Sequence, residues 1–332
     1  MKRIDKNKAI TPSIRSRLLN RIILPLILTV MTATANGQTV IAITKIVAHP
    51  SLEQAKLGVL DELKAGGYEQ GKNLKIIDEN AQGSIATATA IAKKLVSIKP
   101  DAIIPISTAS AQTVMNAAKD TEIPIVFSSV TDPVSAGLVK DLSVPTANMT
   151  GAIDYPPLKE EVALIQALLP QAKTLGMLYN AGEANSAQTV KLFKEVVGKK
   201  LVVIESVAQN TNQVSQALNR LVGKVDVVYI PSDNTIFSAM ANVVKISRAN
   251  KLPVLTSDPD SVKLGVLACA GYTQYKVGRQ AGKMLVKMLK GERNLRIERP
   301  EHYEIYANKK TADQIGIKIP AEVLGVKVEL VK

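Results

Sequence analysis

The chain alternates between short apolar runs and longer segments in which apolar residues recur with helical spacing. "TVIAITKIV" is followed by "SLEQAKLGVLDELKAGGY", and "NLKIID" is followed by "SIATATAIAKKLVSIK". Short apolar runs are typical of buried strands, and their alternation with helical segments predicts βαβ units on a parallel sheet. Two adjacent glycines, Gly66 and Gly67, end the first of these helices. The pattern therefore predicts an α/β fold.

The second half of the chain repeats the order of the first half and some of its sequence. "DAIIPISTAS" and "IPIVFSSVTDP" correspond to "DVVYIPSDNT" and "LPVLTSDPDS", so that Ser107 matches Ser232 and Pro124 matches Pro253. The offset of about 125 to 129 residues is the size of a domain and not of a solenoid repeat. We therefore expect two similar doubly wound parallel-sheet lobes joined by a hinge.

The lobe boundaries follow from this repeat and from the late helical stretch "TQYKVGRQAGKMLVKMLKGE". This stretch comes after the last strand of the second repeat, and we expect it to cross back and pack on the first lobe. The tail "YEIYANKKTADQIGIKIP" is expected to return to the second lobe. The predicted first lobe thus comprises residues 36–153 and 272–292, and the second comprises residues 154–271 and 293–332.

The segment before the first strand has the pattern of a secretory signal peptide. Residues 1–35 carry seven basic residues and one acidic residue, and they include the apolar run "IILPLILTVM" and the small residues "TATA". The apolar run is too short for a stable transmembrane helix, while Ala33 and Ala35 fit an A-x-A cleavage pattern. We expect residues 1–35 to be removed and the mature protein to be periplasmic and soluble. No cysteine lies in this segment, so a lipid anchor is not expected.

Charge and composition argue against several classes of protein. The net charge is +13, of which residues 1–35 contribute +6 (seven bases less one acid), leaving +7. The remaining bases are scattered in pairs such as Lys93 and Lys94, which is typical of a solvated surface, so no nucleic-acid partner is expected. One cysteine and two histidines are too few for a disulfide framework or a zinc cluster. No cofactor is expected.

Catalytic motifs are missing from the sequence. It contains no G-x-S-x-G and no G-x-G-x-x-G, and "GRQAGKM" has neither the spacing nor the Ser or Thr of a P-loop. Asp132, Asp233 and Asp258 could in principle bind a divalent metal, but each lies where a helix N-cap is expected. We expect neither catalytic residues nor a metal site. The enzymatic alternative is a metal-dependent α/β hydrolase or phosphatase that uses these acids.

Polar residues cluster where the predicted strands end. Open parallel sheets bind ligands beyond the carboxyl ends of their strands, where the loops "PISTAS", "FSSVTDP", "IPSDN" and "TSDPDS" lie. Hydroxyl and N–H donors suit the carboxylate of a small zwitterion, and an acid on the opposite lobe suits its ammonium group. Aromatic residues near strand ends, among them Tyr179 and Phe237, could stack on a flat side chain. The candidate residues on these grounds are His49, Ser107, Thr108, Ser129, Thr131, Asp233 and Asp258.

Several motifs, in their order along the chain, resemble the solute-binding proteins of ATP-driven transporters. They are "FSSVTDPVSAGLV", "NMTGAIDYPP", "LPQAKTLGMLYNAGEANS", "GVLACAGYTQYKVGRQAGKMLVKMLKGE" and "ADQIGIKIP", and the likeness runs from about Thr39 to Ile319. The subfamily includes tryptophan- and tyrosine-binding members with the type I periplasmic-binding fold. By position, the resemblance implies ligand contacts at Ser107, Thr108, Ser129, Thr131, Ser232, Asp233 and Asp258, with Tyr179 and Asn180 at the rim.

The resemblance and the residue patterns favour the same function. We expect a non-enzymatic periplasmic component of an ABC importer that captures a small molecule between hinged lobes and delivers it to a membrane permease. An amino acid is favoured, with aromatic amino acids among the candidates, and the expected state is a monomer. The remaining alternative is a ligand-sensing protein of the same fold, such as a repressor. That alternative needs a DNA-binding helical module, which residues 1–35 do not resemble.

Overall fold

The computed structural model describes residues 37–144, 146 and 148–331. The predicted signal peptide, residues 1–35, lies outside the described residues. Within the described part of the chain, no helix combines the length and the apolar character needed to cross a membrane. This part forms two α/β lobes, each built on its own β-sheet.

Five parallel strands form the sheet of the first lobe: β1 (Thr39–Lys45), β2 (Leu74–Asn80), β3 (Ala102–Ile106), β4 (Ile125–Val130) and β5 (Met149–Ile153). They lie in the order β2-β1-β3-β4-β5. The helices between them are α1 (Pro50–Ala65), α2 (Ile85–Ile98) and α3 (Thr108–Ala118). Every residue of β3 and β4 is buried, because helices cover both faces of the sheet. Continuous apolar runs, and not alternating ones, are the sequence pattern of such strands.

The second sheet repeats this arrangement and extends it. Its strands are β6 (Thr174–Tyr179), β7 (Val202–Val207), β8 (Val227–Ile230), β9 (Val254–Thr256), β10 (Ala268–Gly271), β11 (Glu304–Asn308), β12 (Glu322–Val323) and β13 (Val326–Val331). The parallel part, β7-β6-β8-β9-β10, has the same order as the first sheet, and β11 adds to β10 in the antiparallel direction. The prediction of two similar doubly wound lobes is therefore confirmed.

The remaining helices are α4 (Leu158–Leu168), α5 (Ala184–Val197), α6 (Val214–Asn219), α7 (Asn234–Ser238), α8 (Met240–Ala249), α9 (Pro259–Leu264), α10 (Gln274–Leu289) and α11 (Lys309–Ile315). Helix α10 leaves the second lobe and packs against α1 of the first. Glycines allow this close approach, since a Cβ atom at Gly278 would collide with the carbonyl oxygen of Ala55 and one at Gly58 with that of Tyr275. The contact fixes the position of Gln274, the first residue of α10.

The described chain passes between the lobes at three places: after β5, after β10 and after α10. Asp154 follows β5 on the first of these crossings, and Gln274 lies at the end of the second. Both residues are buried although both are polar. Buried polar residues need hydrogen-bond partners, so we expect these two side chains to form hydrogen bonds with each other or with their neighbours.

Candidate ligand-binding cleft

Loops from both lobes enclose a small cavity at the carboxyl ends of the parallel strands. Its volume is about 20 Å³, which is room for about one water molecule. The sequence-predicted residues in its wall are His49, Thr108, Ser129, Thr131, Ser232 and Asp233. The wall also contains Ser51, Leu52, Asp154, Asn185, Asn234, Phe237 and Gln274. A ligand of amino-acid size can therefore enter only when the lobes move apart.

The other predicted site residues lie outside this wall. Ser107 caps α3 with its hydroxyl group. The Tyr179 hydroxyl donates a hydrogen bond of 2.6 Å to Glu205, and Asn180 lines a neighbouring cavity of about 660 Å³. Asp258 caps α9 with its carboxylate. Ligand contact stays a prediction for these residues, as it does for the predicted residues that line the cavity.

Hydrogen bonds join the two lobes directly across the cleft. The Ser51 Oγ atom, in the first lobe, donates to Asp258 Oδ2 of the second lobe at 2.7 Å. His49 Nε2 lies 3.3 Å from Asn234 Oδ1 of the second lobe. Ser51 and His49 follow β1, while Asn234 and Asp258 follow β8 and β9. The loop after β1 of the first lobe thus meets the loops after β8 and β9 of the second lobe, which correspond in strand order to β3 and β4 and not to β1.

The first lobe has backbone with positive φ in the cavity wall, at Ser129, and beside it, at Ser107. Ser129 has φ = 58°, at a point where the pairing of β4 with β5 shifts register, and Ser107 has φ = 97°. Such values are unusual for residues with a Cβ atom and persist only where the surrounding structure enforces them. The Ser129 hydroxyl donates a hydrogen bond of 2.6 Å to Gln274 Oε1, which ties this turn to the start of α10.

Asp154 and Gln274 form a buried pair on the two crossings. Gln274 Nε2 donates to Asp154 Oδ2 at 2.8 Å, and the Gln274 backbone N–H donates to Asp260 Oδ2 at 3.2 Å. Asp154 Oδ1 has no hydrogen-bond partner among the described residues. Burial raises the pKa of the Asp154 carboxyl, while hydrogen bonds from Gln274 and Thr131 act in the opposite direction. The cavity wall therefore contains a carboxylate oxygen that can accept a further hydrogen bond.

Both carboxylate oxygens of Asp233, in the second lobe, already accept hydrogen bonds from that lobe. Asp233 Oδ2 accepts from the backbone N–H of Asn180 at 2.6 Å and from the Ser186 hydroxyl at 2.7 Å, and Oδ1 accepts from the Ile236 N–H at 2.8 Å. Burial raises the pKa of Asp233, with the negative charge of Glu183 as the second cause.

The carboxylate of Asp258 also accepts hydrogen bonds from its neighbours. Its Oδ2 atom accepts from the Ser51 hydroxyl at 2.7 Å and from the Ser261 hydroxyl at 2.6 Å, and burial followed by the charge of Asp260 raises its pKa to about 6. Among the described residues, no group of three or more His, Cys, Asp or Glu is arranged to hold a metal ion. The helix-capping interpretation of these acids therefore has direct support from their hydrogen bonds.

His49 is buried and neutral. Burial lowers its pKa to about 4, with the hydrogen bond to Asn234 acting in the opposite direction. Its ring meets that of Phe237 edge to face, with centroids 5.7 Å apart and an interplanar angle of 81°. The Nδ1 atom has no partner in the part of the chain that the structure describes. His49 also occupies the N-cap position of α1, yet its side chain makes no capping hydrogen bond with any described residue.

Sequence reasoning missed Asp154 and Gln274 because they lie on the crossings between lobes. Asp154 lies in the motif "NMTGAIDYPP", and Gln274 begins the predicted helical stretch "TQYKVGRQAGKMLVKMLKGE", so each has a local signal. What the sequence does not show is that these two positions, 120 residues apart, meet behind the same cavity. Asn185 and Asn234 were missed although they lie within the quoted motifs "LPQAKTLGMLYNAGEANS" and "IPSDN", because other residues of these motifs were the candidates.

Comparison with known proteins defines the class of this one. Residues 40–331 match the family model for the ABC transporter substrate binding protein, and the chain belongs to this family. It is the solute-binding component of an ABC transporter, in agreement with the cleft between two lobes. The family assignment does not favour the hydrolase or the ligand-sensing alternative.

Two individual relatives are described by the ligand that they bind. The chain is 41% identical over 253 residues to a tyrosine-binding protein of Clostridioides difficile (strain R20291), which covers 76% of this chain and 73% of that protein. It is 34% identical to a crystallised ABC domain from Streptococcus pneumonia in complex with L-Trp, with a TM-score of 0.84 over 89% of this chain and 100% of that one.

A third relative indicates the arrangement of the lobes. The ligand-free, open structure of a substrate binding protein with adhesive properties from Clostridium difficile is 37% identical, and 89% of this chain and 100% of that one are covered. Its TM-score is only 0.66, compared with 0.84 for the L-Trp complex. Sequence identity and coverage are nearly equal for these two relatives, so the difference in TM-score comes from the arrangement of the chains in space. The lobes of this chain are therefore arranged more like those of the L-Trp complex, in keeping with the hydrogen bonds across the cleft.

Proposed function

We propose that this protein captures an amino acid, and an aromatic one in particular, between its two lobes and delivers it to a membrane permease. The observation that carries the proposal is the unpartnered Oδ1 atom of Asp154 in the wall of the interlobe cavity. A buried carboxylate oxygen without a donor is unfavourable, and an ammonium group supplies a charge-assisted hydrogen bond there. The ligand is thus expected to bring a cationic N–H.

The opposite end of an amino acid also has suitable partners. The cavity wall also contains the hydroxyl groups of Thr108 and Ser232, and hydroxyl groups donate to carboxylates. A ligand that places a positive group at Asp154 and a negative group at these hydroxyls is a zwitterion. Leu52 and Phe237 lie in the same wall and offer apolar surface to a flat side chain. The tyrosine-binding and L-Trp-bound relatives support the aromatic part of the proposal.

Lobe movement is the second part of the proposal. The first lobe comprises residues 36–153 and 272–292, the second comprises residues 154–271 and 293–332, and they separate and close about the crossings. The packing of α10 on α1 supports the placement of α10 in the first lobe, and the pairing of β11 with β10 supports the placement of β11 in the second. We also propose that residues 1–35 direct secretion to the periplasm and are cleaved after Ala35, leaving a monomer. N-terminal sequencing of the secreted protein tests the cleavage.

Ligand identification tests the function itself. The purified protein is denatured, and the released small molecules are identified by mass spectrometry. In parallel, thermal shift is measured with each of the twenty amino acids. We expect an aromatic amino acid to be released and the aromatic amino acids to raise the melting temperature, because a ligand that binds only the folded state stabilises it. A refolded protein that responds to none of the twenty would show that the ligand belongs to another chemical class.

A further inference from the structure

The second unpartnered acceptor in the cavity wall belongs to His49. Asn234 Nδ2 donates to Glu183 Oε2 at 2.7 Å, and because a carboxylate can only accept, this contact fixes the orientation of the Asn234 amide. Asn234 Oδ1 therefore faces His49 Nε2, at 3.3 Å. An amide oxygen also only accepts, so Nε2 carries the ring proton. In a neutral histidine Nδ1 is then a lone-pair acceptor.

The surroundings of this acceptor differ from those of Asp154. His49 packs edge to face against Phe237, and Leu52 lies in the same wall. His49 thus lies against an aromatic ring, whereas Asp154 accepts a hydrogen bond from Gln274, which in turn accepts one from the Ser129 hydroxyl. A ligand ammonium is drawn to the charged oxygen of Asp154, since charge-assisted hydrogen bonds are about twice as strong as neutral ones. The neutral Nδ1 atom of His49 is left for a neutral donor.

We infer that His49 Nδ1 accepts a hydrogen bond from the side chain of the ligand, and that the protein thereby selects aromatic amino acids with an N–H or O–H group, tryptophan and tyrosine, over phenylalanine. This inference rests on the proposed function and adds the basis of its specificity. When the lobes close on a ligand without such a donor, Nδ1 loses water and gains nothing in return. A site built around an unpaired polar group rejects the analogue that lacks the matching donor.

The test compares ligands that differ only in this donor. L-Trp is compared with β-(3-benzothienyl)-L-alanine, in which sulfur replaces the indole N–H at nearly constant shape, and L-Tyr is compared with L-Phe. Affinities are measured by isothermal titration calorimetry on the full secreted protein. The chain contains no tryptophan, so tryptophan emission gives a second readout that comes from bound L-Trp alone. We expect each donor-bearing ligand to bind about tenfold or more tightly than its partner, a difference of about 1.4 kcal/mol.

Two variants assign the preference to His49. In His49→Leu the acceptor is absent, and we expect the ratio between L-Trp and its sulfur analogue to fall to about one. In His49→Asn the side-chain amide reaches about the position of Nδ1, and we expect part of the ratio to return. His302→Leu is the matched control, because the His302 side chain is 88% exposed, and it should keep the wild-type ratio.

Different outcomes separate this inference from the function on which it rests. If the wild type binds L-Trp and its sulfur analogue equally well, the specificity inference is wrong while amino-acid binding stands. If His49→Leu weakens all ligands by the same factor, His49 acts on the shared amino-acid part or on the fold, and the inference is again wrong. If the folded wild type binds none of these ligands, both the proposed function and the inference fail.

Discussion

Replacement of Asp154 by asparagine should weaken amino-acid binding without harming the fold. The substitution is nearly isosteric, and the asparagine oxygen can still accept the hydrogen bond from Gln274 Nε2 that Oδ2 accepts at 2.8 Å. The amide NH₂ then takes the place of Oδ1, the atom without a partner among the described residues. An acceptor with negative charge is thus exchanged for a donor, which cannot bind an ammonium group.

The size of the effect follows from the type of bond that is lost. A hydrogen bond to a charged group contributes about 1.5–3 kcal/mol, so affinity should fall by about 10- to 150-fold. Stability of the unliganded protein should move in the other direction. Burial raises the folded-state pKa of Asp154, so its carboxylate opposes folding once the pH is above that raised value. A neutral asparagine removes this unfavourable charge, and the melting temperature without ligand should stay equal or rise.

Calorimetric titration and thermal unfolding together test the reasoning. Asp313→Asn is the matched control, because Asp313 forms an exposed ion pair with Lys309, and it should leave affinity unchanged. Binding by the wild type should also weaken as the pH falls through the raised pKa of Asp154, and this loss should be absent in Asp154→Asn. Unchanged affinity in Asp154→Asn would refute the role of this carboxylate. A lowered melting temperature together with weak binding would show that the residue is structural.

Further changes test the closed state, the buried charges and the helix contact. Ser51→Ala removes the hydrogen bond of 2.7 Å to Asp258 across the cleft, so we expect ligand affinity to fall by about tenfold, measured by calorimetry, because closure becomes less favourable. Burial raises the pKa of the Glu161 carboxyl from 4.5 to about 8. The protonated form is therefore favoured in the folded state, and its contribution to the free energy of unfolding is present at acid pH and is lost as the pH rises through about 8. Glu161→Gln should therefore unfold at a higher temperature than the wild type at pH 9 but not at pH 5. Gly278→Ala introduces a clash between α10 and α1 and should cost about 1–3 kcal/mol in denaturant unfolding. Gly37→Ala, where the added Cβ meets no described atom within 4 Å, should be neutral.

Much of the fold could be predicted because its signals are local or repeated. Buried strands such as β3 and β4 are continuous apolar runs, and the duplication of sequence from Ser107 to Ser232 anticipates the repeated strand order of the two sheets. The same logic placed polar residues at strand ends, and Thr108, Ser129 and Thr131 do line the cavity between the lobes. These predictions needed only the rule that parallel sheets present their carboxyl ends to ligands.

The sequence by itself determined the two α/β lobes, the family and the loops that form the cleft. Only the tertiary structure decided which polar atoms in those loops are free to bind. Asp258 looks available in sequence, yet its carboxylate accepts a hydrogen bond from Ser51, 207 residues away, while Asp154 keeps an oxygen without a hydrogen-bond partner among the described residues. The physical reason is that hydrogen-bond capacity is limited and is used up by partners distant along the chain. Local sequence determines which residues lie at a site, and long-range packing determines which of their hydrogen-bonding atoms remain available to a ligand.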